Sequence, residues 1–183
     1  KKDAVGIYNN DEIEYIPNDQ TVDVNKIIYK NTFDEAGTEL AGLAVNAKNS
    51  KIGVATDSKY DSNYMQILKD PSGDTYFEYT NSETLKNMVI QADIRSDEGT
   101  NGNLWYVRDK TSSSEPVVET FVNINGYDLS GKGGAITTLR PGRFTNIAVV
   151  LHFNTNEVDY YVDGKLLRKG STMSSNRLRK IDI

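Results

Sequence analysis

The chain has 183 residues, with 21 Lys plus Arg against 26 Asp plus Glu, so its formal net charge is −5 with the single histidine neutral. That balance leaves no electrostatic footprint for nucleic acid, no apolar run approaches the ~20 residues needed to insert across a membrane, and the absence of cysteine excludes disulfides, thiolate metal sites and thiol nucleophiles. Hydrophobic residues make up 37% of the sequence, and one domain of this length buries roughly 70% of its unfolded surface. Tyrosine is in excess, 11 against 5 Phe and 1 Trp, which favours strands and supplies rings with one wet end.

In chain order, residues 1–27 hold two acidic strand-like pieces, 4–8 and 12–16. They read as leader strands, either the remnant of a neighbouring domain or part of the sheet, with the domain proper over 28–183. Short strands are expected at 51–56, 64–68 and 75–80. Residues 86–96 alternate, with Met88, Ile90, Ala92 and Ile94 on a core face and Val89, Gln91, Asp93 and Arg95 on a face meeting water. Further strands are expected at 103–108, 117–125 and 135–139. Turn signals separate them at Asp70-Pro71-Ser72-Gly73, Gly99-Thr100-Asn101-Gly102 and Asn125-Gly126, and the polar stretch 109–115 reads as a long hairpin loop.

The clearest segment is near the end of the chain. A β-branched and aromatic run over 143–153 meets Asn154-Thr155-Asn156, a second run follows at 157–162, and Asp163-Gly164 supplies the positive-φ dipeptide of a tight hairpin before a third strand at 165–168. Nothing has a helical period. Short strands punctuated by turns indicate an all-β antiparallel sandwich or barrel.

Several of these pieces together carry a resemblance. They are Thr32-Phe33-Asp34-Glu35, the strand Val89-Ile90-Gln91-Ala92-Asp93-Ile94, and the paired hairpins marked by Phe144, Ile147, Val149, Tyr160, Val162, Asp163, Gly164 and Lys165. Over residues 28–183 the chain resembles the concanavalin A-like lectin/glucanase superfamily in its bacterial laminin G-like form. The resemblance implies an antiparallel β-sandwich of the jelly-roll type. It also implies a non-catalytic carbohydrate-binding, lectin-like or adhesive module, tethered to other domains of a larger secreted or cell-surface bacterial protein. The alternatives it leaves open are a polysaccharide lyase or glycosidase of the same fold, and a structural or protein-binding module. Domains of that group close with a further strand, whereas this chain stops at Ile183, and residues 3–8 look more like that closing strand.

The chemistry-bearing residues are few. Retaining glycosidases hold two carboxylates roughly 5–5.5 Å apart, and the superfamily sets them on one strand as E-x-D-x-x-E. Here Glu157 and Asp159 share a face, but the third acid is missing because Asp163 belongs to the Asp-Gly turn, so the pair reads as solvent-facing. His152 points away from the core side, beyond Ile147, Val149 and Leu151, but lacks the Q-x-H context of the sandwich lyases. The resemblance implies structural calcium, with Asp34 and Glu35 after Phe33 and Asp182 at the chain end as ligands. Sugar recognition uses aromatic faces flanked by polar groups. The candidate ligand-binding residues are therefore Trp105, Tyr106 and Arg108 on one strand with Arg95, Asn123, His152 and Tyr161 beside them, although the lone Trp105 could equally anchor the core. A catalytic constellation would draw on Arg95, Tyr106, Arg108, Glu119 and His152.

Overall fold

The computed structural model describes residues 5–9, 27–31, 33, 43–47, 49–59, 61–68, 70, 72, 75–79, 87–109, 117–153 and 155–173. Among these residues the regular structure is β-strand throughout, with no helix. In chain order the strands are β1 (Val5–Asn9), β2 (Ile27–Asn31), β3 (Ala44–Asn46), β4 (Lys51–Asp57), β5 (Ser62–Leu68), β6 (Tyr76–Glu78) and β7 (Asn87–Ile94). They continue as β8 (Thr100–Asp109), β9 (Val117–Gly126), β10 (Asp128–Gly131), β11 (Gly134–Thr138), β12 (Thr145–His152), β13 (Glu157–Val162) and β14 (Lys165–Thr172).

Two main sheets, antiparallel at every pairing, form a sandwich. One runs β14-β13-β12-β7-β1-β2 and the other β11-β10-β9-β8, and two further two-stranded sheets are β3-β6 and the hairpin β4-β5. The tail of the large sheet forms as its residues dictate. At the β13–β14 turn Asp163 and Gly164 lie at φ 47° and 81°, the mirror-image turn whose twist matches the strands it joins. Asp163 then locks this turn to β12, because its Oδ1 accepts the Asn146 N–H at 2.9 Å while its own N–H donates to the Asn146 carbonyl at 2.8 Å. The leader strand β1 lies between β7 and β2 and pairs with both, so residues 5–9 are part of the sheet. The piece at 12–16 lies outside the described residues.

The core lies between the sheets. Met88, Ile90, Ile147, Val149, Leu151, Val158 and Tyr160 from the large sheet meet Trp105, Val107, Phe121, Val122, Ile124, Leu129 and Ile136 from the small one. Tyr160 ties the layers together: its hydroxyl donates to the Phe121 carbonyl at 2.7 Å and accepts the Lys132 N–H at 2.8 Å. Burial pushes this phenol up to about 12. The ring passes so close to Gly131 that a Cβ there would sit 2.5 Å from it. Above the joint, the Arg168 guanidinium donates to the carbonyls of Lys132 and Ala135 at 2.8 and 2.7 Å.

Three local expectations change in the folded chain. Gly99-Thr100-Asn101-Gly102 is not a turn: Thr100, Asn101 and Gly102 open β8 and pair with Gly126, Asn125 and Ile124, because a neighbouring strand outweighs the turn preference of the dipeptides. The second face of β7 does not meet water at Val89. That residue joins Ala148, Val150 and Tyr161 in a buried cluster separate from the main core, on the outer face of the large sheet. On the same face Asp159, expected in solvent beside Glu157, is 6% exposed. Its carboxylate is satisfied by His152 Nε2 at 2.9 Å and by the Gly170 N–H at 2.6 Å, as a buried charge requires.

Candidate functional site

Among the described residues the outer face of the small sheet is polar and exposed. Strand β9 alternates apolar with amide residues, so Val122 and Ile124 go inward while Asn123 and Asn125 go outward, and on β8 a bulge between Asn103 and Trp105 lets Asn101 and Asn103 face out while Trp105 and Val107 face in. Register then sets the asparagines opposite one another, Asn101 with Asn125 and Asn103 with Asn123. The next strand continues both lines. Asn125 pairs with Asp128 and Asn123 with Ser130, and on the sheet edge Asp128 pairs with Thr138 and Ser130 with Ala135. Beyond a bulge, Tyr106 and Thr120 form the next pair, and Tyr106 stands 42% exposed.

Local bonds fix part of this surface. Asn101 Oδ1 accepts the Gly126 N–H at 3.0 Å, and the Thr138 hydroxyl donates to Asp128 Oδ1 at 2.6 Å. The side chains of Asn103, Asn123 and Asn125 make no hydrogen bond to a described residue. Each amide offers two donor hydrogens and an acceptor oxygen, so the surface is a grid of hydrogen-bonding groups beside one exposed aromatic ring.

The candidate ligand residues do not converge on one place. Tyr106 and Asn123 share the outer face of the small sheet, and Arg108 lies on the same strand as Tyr106, two positions on, its side chain outside the described residues. Trp105 is 8% exposed and part of the core, the anchoring place rather than the stacking one of the two open to it: alternation turns it inward when Tyr106 turns out. His152 and Tyr161 are on the outer face of the large sheet. There Tyr161 is 5% exposed, packed with Val89, Ala148 and Val150 and so withdrawn from a ligand, and His152 is committed to Asp159.

Arg95 belongs to a third place, where the chain leaves β7. Its guanidinium binds Asp57 at 2.7 Å and Asp97 at 2.9 Å and lies 5.2 Å from the ring centres of both Tyr64 and Phe144. The Asp97 bond foremost, aided by Asp57, raises the guanidinium above its ordinary value against the opposing pull of burial. Such a saturated arginine is a fastener for the β4–β5 hairpin. Glu119 sits in a fourth place, buried on β9 and bound to Lys132 Nζ at 2.7 Å.

The calcium candidates Asp34, Glu35 and Asp182 lie outside the described residues, and among the described ones no group of three or more His, Cys, Asp or Glu is arranged to hold a metal ion. Asp70, in the turn signal Asp70-Pro71-Ser72-Gly73, accepts the Ser72 hydroxyl and, at 2.8 Å, the Ser72 backbone N–H, bonds that lower its carboxyl from the ordinary value.

No family model, curated protein or solved structure matches this chain. Its function is therefore argued from its own surface. Sequence reasoning named Tyr106 and Asn123 but missed Asn101, Asn103, Asn125, Ser130 and Asp128. The signal was present as the N-x-N spacing at 101–103 and again at 123–125, two residues apart and hence on one face of each strand.

Proposed function

We propose that the protein is a non-catalytic carbohydrate-binding module of a larger secreted or cell-surface protein, with the outer face of the β11-β10-β9-β8 sheet as its binding surface. The observation that carries this reading is the pairing of exposed amides with an exposed tyrosine on one face of the small sheet. Sugars present hydroxyls around an apolar C–H face, and amides with an aromatic ring answer both. The jelly-roll variety of sandwich, and the kinship with concanavalin A-like lectins, belong to the same proposal.

The enzymatic alternative has less support. Acid–base chemistry needs its groups within hydrogen-bond reach of one substrate, whereas Arg95, Tyr106, Glu119 and His152 occupy four separate surroundings, and Arg95, Glu119 and His152 are each already engaged in ion pairs or hydrogen bonds.

The test is affinity electrophoresis of the full chain through gels containing soluble polysaccharides, with Tyr106→Ala run alongside. Retention of the parent protein by at least one polysaccharide, lost in Tyr106→Ala without a change in thermal midpoint, is the expected result. Free migration of the parent protein through every polysaccharide overturns the reading.

A further inference from the structure

Register sets outward residues of the small sheet, all polar except Ala135, in two rows. Read from edge to edge, the first row is Thr138, Asp128, Asn125 and Asn101, and the second is Ala135, Ser130, Asn123 and Asn103. Both rows run across the strands, because directly opposed residues define them. Neighbouring strands are ~4.8 Å apart, so four strands give each row a length of ~14 Å, about three pyranose rings end to end. On β8, β9 and β10 the two rows are separated by two residues, ~7 Å, and on β11 by three across a bulge, close enough for both edges of one sugar ring to be reached at once.

Charge narrows the ligand further. Among the described side chains of the two rows Asp128 is the only ionised group, and the whole chain carries a net −5. A uronate or sulfate on the ligand would meet a carboxylate and find no described cation in the rows to pair with. Hydroxyls, in contrast, can donate to Asp128 and exchange hydrogen bonds with the amides of Asn103, Asn123 and Asn125.

Building on the proposed function, we infer that the site takes a linear, neutral polysaccharide lying across the four strands, about three sugar units engaging the two amide rows while Tyr106 stacks against a ring at their border. A branched or anionic glycan fits neither the two rows nor the charge.

The experiment is isothermal titration of the full chain with linear cello-, manno- and xylo-oligosaccharides of one to six units, and with oligogalacturonides of the same lengths, at low and high salt. For at least one neutral series the association constant is expected to rise about tenfold or more from one unit to three and to level off by about five. It should be insensitive to salt, while Asn103→Ala and Asn123→Ala each weaken the trimer about two- to tenfold, as loss of a hydrogen bond would. Oligogalacturonides binding more tightly than any neutral series, or a monosaccharide binding as tightly as its hexamer, would overturn the inference and leave carbohydrate binding in place. Absence of binding to every glycan, or Tyr106-dependent binding of a protein instead, would remove both.

Discussion

The two outer faces of this sandwich are built from the same kind of strand and have opposite fates. On the large sheet Val89, Ala148, Val150 and Tyr161 are buried and Asp159 is satisfied by His152 and the Gly170 N–H. The small sheet instead leaves Asn101, Asn103, Asn125 and Tyr106 in water. The lesson is that a polar residue on a sheet face says little until the neighbours on that face are known. His152 and Asp159 are polar and consumed by the structure, whereas Asn103 and Asn123 are polar and left to the solvent side.

The sharpest way to break this contrast is to place the same charge on each face. Val150→Asp puts an unpaired carboxylate into a buried cluster and is expected to cost about 3–5 kcal/mol. Asn123→Asp on the open face should stay within about 0.5 kcal/mol. Urea unfolding of both variants checks this, and equal losses would mean that the faces are alike.

A second test concerns the joint that holds the sheets back to back. Tyr160 has its phenol raised from 10 to about 12 by burial. Between those values the folded chain keeps a proton that the unfolded chain has released, so stability should be intact below pH 10. It should then fall by on the order of 2 kcal/mol as pH rises toward 12. Denaturation midpoints across that range should show the slope in the parent protein, and Tyr160→Phe should lose it.

Asp159→Ala comes next, at about 1–3 kcal/mol, because it leaves two donors without their acceptor. Combined with His152→Ala in a double-mutant cycle, it should reveal coupling of about 1 kcal/mol; additive losses would show the pair to be incidental. The smallest effect on stability is expected for Tyr106→Ala. The tyrosine is 42% exposed, so the variant should shift the unfolding midpoint little while abolishing retention by polysaccharide.

The contrast was partly legible in the sequence. The small sheet is written in strict alternation, Val122-Asn123-Ile124-Asn125, which declares one dry face and one wet one. The large sheet is not: Met88-Val89-Ile90 and Ile147-Ala148-Val149-Val150-Leu151 are continuous apolar runs, the signature of strands buried on both sides. Reading 86–96 as simple alternation passed over Val89 for that reason.

The terminal hairpins were visible because their turns are local. Asn101 was hidden inside what looked like a turn, and only pairing with Asn125 makes it a strand residue. The Arg95 cluster was beyond local reading, since the partner Asp57 is 38 positions away and Tyr64 and Phe144 come from two other parts of the chain. The acids assigned to calcium, Asp34, Glu35 and Asp182, lie outside the described residues.

The glycine at 131 leaves a vacancy that the ring of Tyr160 fills, with 2.5 Å between a hypothetical Cβ and the phenol carbon. The two positions therefore behave as a single inherited unit. A lineage that acquires any side chain at 131 must shrink the aromatic at 160 in the same step, or part the layers it joins. Across relatives of this chain that pair should drift in concert, while the asparagines on the open face vary independently of it.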